Sequence, residues 1–205
     1  MKIGIITYHA AHNYGAMLQA YALQRALAME CSYESKIINY RTGFEKVLPK
    51  ISFPPKMKEL FSFLIKLRHY DVLKRKHDSF ELFLEKQLIK TDMYSTYDDL
   101  KTYAQGFDVY ITGSDQTFSP RSRYLDAFYL AFAPAHCKKV AYAPSFGFNY
   151  IPEDKVEKIT GLLKSYRYLS AREIEGCKLI ETLTGVQVPS VLDPVFLLKP
   201  DVWRQ

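Results

Sequence analysis

Ser114, Asp115 and Gln116 set a hydroxyl, a carboxylate and an amide on consecutive residues, just after the apolar run Phe107 to Thr112 and Gly113. Sugar hydroxyls need mixed donors and acceptors of this kind, and a carboxylate so placed can take the proton of an attacking hydroxyl. Asp115 is therefore the candidate catalytic residue, with Ser114 and Gln116 as candidate substrate ligands. The same residues also suit a turn in which Ser114 or Asp115 caps its own backbone. Near the N-terminus, Tyr8, His9, Asn13, Tyr14 and Gly15 form a second polar and aromatic group. Gly15 at a helix start leaves backbone N–H groups for an anion or a sugar hydroxyl, and Asn13 suits either a ligand or the helix cap. Ser145, in Pro144-Ser145-Phe146-Gly147, and Arg172, in Ser170-Ala171-Arg172-Glu173, complete the set. An arginine at that position fits a carboxylate or phosphate, or pairs with an acidic neighbour.

Other chemistries lack their residues. His9 and His12 stand three apart in a loop with no third ligand at metal spacing, so no metal is expected. Neither GxGxxG nor GxxxxGK[ST] occurs, which leaves a nucleotide cofactor unsupported, and no cofactor is expected. GxSxG is absent as well, which argues against a Ser–His–Asp hydrolase built on Ser114 or Ser145.

These groups need strands that end beside one another. Ile3 to Ile6 reads as a first strand, and the helix after it carries Ala16, Ala20, Leu23 and Leu27 on one face, the small residues allowing close approach to a sheet. Further strands are expected at Lys36 to Tyr40, Phe107 to Thr112, Lys138 to Ala143, Tyr168 to Ala171 and Val188 to Leu192. Leu125 to Phe132 reads as a strand or an edge segment. Helices are expected over Asp98 to Gln105, Glu153 to Lys164, and Arg172 to Leu183 with Gly185 closing the last. Arg41 to Pro55 reads as an irregular connection. Lys56 to Lys90 reads as two helices, or one broken near Arg68 to Asp71. The fold class is α/β, a Rossmann-like, mostly parallel sheet flanked by helices. In such sheets the loops Thr7 to Gly15, Gly113 to Gln116, Pro144 to Gly147, Ser170 to Glu173 and Asp193-Pro194 gather on one edge.

The 205 residues, 48% of them hydrophobic, are enough for a large core. Of the net charge of +6, residues 56 to 90 supply much, with nine Lys or Arg against five Asp or Glu. Without a nucleic-acid motif or Trp anchors that stretch reads as a solvated helical face, so no nucleic acid is expected and a membrane only peripherally if at all. From three widely spaced cysteines, no secretory leader and no long apolar run, a cytoplasmic chain with reduced thiols is expected.

Taken together, Lys2-Ile3-Gly4-Ile5-Ile6-Thr7, Asn13-Tyr14-Gly15-Ala16 with Leu18-Gln19-Ala20-Tyr21-Ala22-Leu23, Gly113-Ser114-Asp115-Gln116, Tyr142-Ala143-Pro144-Ser145-Phe146-Gly147, Ser170-Ala171-Arg172-Glu173 and Leu192-Asp193-Pro194 resemble the polysaccharide pyruvyl transferase family. Order and approximate spacing agree over nearly the whole chain. The resemblance implies a two-domain fold similar to GT-B glycosyltransferases. It also implies transfer of a pyruvyl group from phosphoenolpyruvate to the hydroxyls of a glycan acceptor, as a ketal, in surface polysaccharide synthesis. On this reading residues 1 to 198 are the N-terminal Rossmann-like domain with a basic helical insertion at about 56 to 90. Residues 199 to 205 then begin a linker to a second half that holds most donor-binding groups, so the chain alone is expected to fold without catalysing transfer. The alternatives are a nucleotide-sugar glycosyltransferase of GT-B type and a non-catalytic glycan-binding module.

Overall fold

A computed structural model describes residues 1–41 and 70–204. The expected connection after Arg41 and the first half of the basic helical stretch, with Leu60, Leu64 and Leu67, lie outside the described residues. Four strands make one sheet: β1 (Lys2–Ile6), β2 (Glu34–Ile37), β3 (Val109–Thr112) and β4 (Lys138–Ala141). Their order is β2-β1-β3-β4 and every pairing is parallel, with Ile5 opposite Ile37 on one side and Ile111 on the other. Single parallel bridges extend both margins, Ile37 to Lys90 and Tyr40 to Tyr94 beyond β2, and Val140 to Tyr168 beyond β4, with Ala171 to Ser190 further out. This is the Rossmann-like α/β sheet expected from the sequence.

The strands alternate their side chains between two cores, as the two-residue period requires. Ile3, Ile5, Val109 and Ile111 face one core, where Met17, Ala20 and Leu23 of helix α1 (Tyr14–Cys31) meet Phe80 and Leu84 of α2 (Tyr70–Gln87). Ile6, Tyr110 and Ala141 face the other, an aromatic core that includes Phe118, Phe128, Tyr129, Phe146 and Tyr166. Helix α3 (Tyr97–Tyr103) opens with a capping box in which Thr96 and Asp99 each bond the other's backbone N–H. Its Leu100 is buried in the aromatic core. Two further helices pair with one another on that side, α5 (Glu153–Lys164) and α6 (Ile174–Thr184), the latter ended by Gly185 in left-handed geometry. At the C-terminal end, α7 (Pro200–Trp203) brings Trp203 against Tyr21 of α1, ring centres 5.7 Å apart.

Three expectations change. The aromatic segment Leu125 to Phe132 is no strand. It forms the short helix α4 (Leu125–Phe128), because Thr112 Oγ1 donates to Phe128 O and the Tyr129 hydroxyl donates to Phe118 O, fixing the run across the sheet end. Tyr168 to Ala171 and Val188 to Leu192 lie at the sheet margin but pair only at single bridges. Pro189 has no N–H to give to a ladder there.

Candidate functional site

All five strand-end loops are tied to one another at the C-terminal edge of the sheet. Thr7 Oγ1 donates to Ser114 O at 2.8 Å, joining the loop after β1 to the loop after β3. Ser145 N donates to Asp115 O at 2.8 Å, and Asp115 bridges Pro144, joining the loop after β4. Arg172 N donates to Pro144 O at 3.1 Å. Finally, Ser114 Oγ donates to Asp193 Oδ2 at 2.9 Å, which brings in the last loop. A parallel sheet carries the chain back to the same edge each time, so this meeting follows from topology.

Asp115 stands at the centre. Its backbone holds φ 76° and ψ −176°, a region almost reserved for glycine that costs another residue about 1–3 kcal/mol. One carboxylate oxygen accepts the Gln116 N–H at 2.8 Å, while Oδ2 takes no hydrogen bond among the described residues. Burial pushes the Asp115 carboxyl above its ordinary range, the Gln116 N–H and the Arg172 charge pull it part of the way back, and Asp193 adds to the rise. A carboxylate lifted in this way is a better proton acceptor than a solvated one. Tyr8 borders the same space. Burial raises its phenol, a bond to Ser122 lowers it, and the Asp115 charge raises it further.

Arg172 is already engaged. Its Nε donates to Glu173 Oε1 at 2.8 Å and its Nη1 to Asp193 Oδ2 at 3.3 Å and Ser114 Oγ at 3.4 Å. Burial works against the guanidinium charge, and Glu173 and Asp193 more than offset it. Ser145 is buried and its hydroxyl accepts from Gly147 N at 3.1 Å. Gly147 has φ +66°, and a Cβ there would come within 2.9 Å of the Gln116 side chain, so the glycine lets this loop close on Gln116.

The first loop divides. Tyr8 faces the Asp115 group, whereas His9 is buried and its ring nitrogens meet Thr7 O at 3.1 Å and Asn39 Oδ1 at 3.0 Å. Asn13 caps α1 by accepting from Ala16 N at 3.2 Å, and Tyr14 and Gly15 are exposed on the first turn behind it. The structure therefore brings Ser114, Asp115, Gln116, Ser145, Arg172 and Tyr8 together and sets Asn13, Tyr14 and Gly15 at the helix mouth. Asp193 was not among the candidate residues, although it holds both Ser114 and Arg172. The signal was its place in Leu192-Asp193-Pro194 directly after an apolar run.

Comparison with family models matches residues 13–205 to the model described as polysaccharide pyruvyl transferase. The chain belongs to the polysaccharide pyruvyl transferase family. No curated protein and no solved structure matches it. The match takes in the loops after β3 and β4, those at Ser170 to Glu173 and Asp193-Pro194, and, of the loop after β1, only Asn13 to Gly15. Among the described residues, no helix is long and apolar enough to cross a membrane.

Proposed function

We propose that this chain supplies the acceptor side of a pyruvyl transferase that moves pyruvyl from phosphoenolpyruvate to sugar hydroxyls as a ketal, in making surface polysaccharide. In that reaction the donor's C2 gains two bonds to sugar oxygens and its C3 gains a proton to become a methyl group. The C2–O bond to phosphorus-bearing oxygen breaks and phosphate leaves. Of the two hydroxyl protons, one balances C3 and the other leaves with phosphate or solvent. The observation that carries the reading is Asp115, lifted above the ordinary aspartate range and held in strained geometry where five loops meet. Its role is general base toward the attacking hydroxyl, with Ser114, Gln116 and Tyr8 placed to orient the sugar.

Arg172 is neutralised by Glu173 and Asp193, so it serves to hold the edge together more than to receive an anionic donor. The charge of phosphoenolpyruvate then has to be met by groups outside this edge, in keeping with a GT-B-like arrangement of two facing halves. The test is phosphate release and ketal formation by the complete enzyme with phosphoenolpyruvate and a panel of glycans. Asp115→Asn keeps shape and removes the base, and it should lower kcat about 10²–10⁴-fold. Full activity in that variant would reduce Asp115 to a turn residue, and turnover with a nucleotide sugar in place of phosphoenolpyruvate would make the enzyme a glycosyltransferase.

A further inference from the structure

We propose that His12, His77 and Glu81 form a binding site for a divalent transition-metal ion of the zinc class, which fastens α2 to the loop between β1 and α1. The sequence gives no hint of it, because His12 is separated by more than sixty positions from its partners. Folding removes the gap. His77 and Glu81 are four apart on α2 and so share a face, and that face packs on the first loop. One ligand atom from each of the three residues lies within 4.8 Å of the others. A tetrahedral zinc with bonds of about 2.0–2.1 Å needs ligand atoms about 3.4 Å apart, so side-chain adjustments of roughly an ångström complete the geometry.

Several observations favour a metal over a simple polar cluster. The His12 Nε2 and Glu81 Oε1 atoms already meet at 2.9 Å. The His12 ring is held by Phe80, stacked at 5.2 Å with an interplanar angle of 5°, and its side chain is only 7% exposed. His77 packs its ring edge-on against His12, centres 4.7 Å apart. Its Nδ1 is buried with no hydrogen-bond partner among the described residues. A buried ring nitrogen without a partner carries an uncompensated desolvation cost, which a coordinated ion would remove. Two imidazoles and one carboxylate are a known zinc ligand set, and imidazole selects zinc-like ions over magnesium or calcium, which prefer all-oxygen shells. The Glu81 side chain is 42% exposed, so a fourth position on its side is open to water.

This inference does not rest on the transferase reading, and its test needs no turnover. The tag-free chain is stripped with a chelator and titrated with zinc alone by calorimetry, and cobalt is used in parallel for its ligand-field absorption. The expected result is one saturable equivalent, no displacement by excess magnesium, and a rise in Tm of at least ~5 °C at a hundredfold excess over Kd. His77→Gln and Glu81→Gln should each weaken zinc binding at least ~10-fold, since loss of a direct ligand costs no less than loss of an outer-shell partner. His136→Gln, at an exposed histidine elsewhere, should leave it unchanged. Glu81→Gln decides the matter if His77→Gln fails to fold by circular dichroism, because its side chain sits at the helix surface. Absence of saturable binding, or equal binding by wild type and the folded variants, overturns the proposal.

Discussion

Asp115 carries two costs at once, a backbone conformation that favours glycine and a carboxylate held away from water. Strain of this kind persists only where the surroundings impose it, and it collects at functional positions. Asp115→Gly removes both costs and loses the bond to Gln116 N and the attraction to Arg172, the smaller contributions, so thermal denaturation should find it no less stable than wild type while transfer is lost. The pH dependence has a definite sign. Below about pH 4 both folded and unfolded chains keep this proton, and burial costs nothing. As pH rises the unfolded chain releases it first, so stability falls across the interval up to the raised folded value and stays lower beyond it. Denaturant melts of Asp115→Asn should therefore show a gain over wild type at neutral pH that closes below about pH 4. The residue types of Ser114-Asp115-Gln116 were readable because they follow an apolar run. The loop of their partner Asp193 was readable in the same way, but its bond to Ser114 was not, since that bond spans 79 positions of the chain. His77 and Glu81 were hidden for the same reason, because a lone helical pair has no spacing that singles it out from an ordinary polar face.

At the scale of elements, local rules located most of the framework. Helices α3, α5 and α6 were evident from apolar period and terminal residues, and the strands β1, β3 and β4 from short apolar runs. The failure at α4 is instructive: the β-propensity of aromatic residues measures how they pack on a pleated surface, and here Phe128 and Tyr129 pack from a helical turn instead. Helix α2 sits at the other extreme. Only Phe80 and Leu84 of its residues are buried, so its attachment depends on few contacts. Leu84→Ala should cost about 2–5 kcal/mol, read from urea unfolding, since it leaves a cavity between the helix and the sheet. Gly147→Ala works on the site more than on the core. It introduces left-handed strain and displaces Gln116, and KM for the glycan should rise more than kcat falls.

Across the whole molecule, one core is built largely from phenols and phenyl rings. Burial lifts the hydroxyls of Tyr129 and Tyr166 well above the ordinary tyrosine range and pushes Tyr40 and Tyr110 up to about 12. For an acid raised on folding, the stabilisation is whole below the unfolded value near 10 and is lost as pH climbs toward the folded ones. The protein should thus hold through mild alkali and then unfold cooperatively above about pH 10, with tyrosinate absorbance appearing together with loss of helical circular dichroism. Tyrosinate appearing well before the helical signal falls would mean that the core phenols titrate in place. The contact of Trp203 with Tyr21 gives the same molecule an optical use. The chain holds sixteen tyrosines and a single tryptophan, which packs on Tyr21 of α1, so ultraviolet energy absorbed by Tyr21 passes to one emitter seated on that helix. Its fluorescence can then time the release of the C-terminal helix from α1 separately from the melting of the sheet.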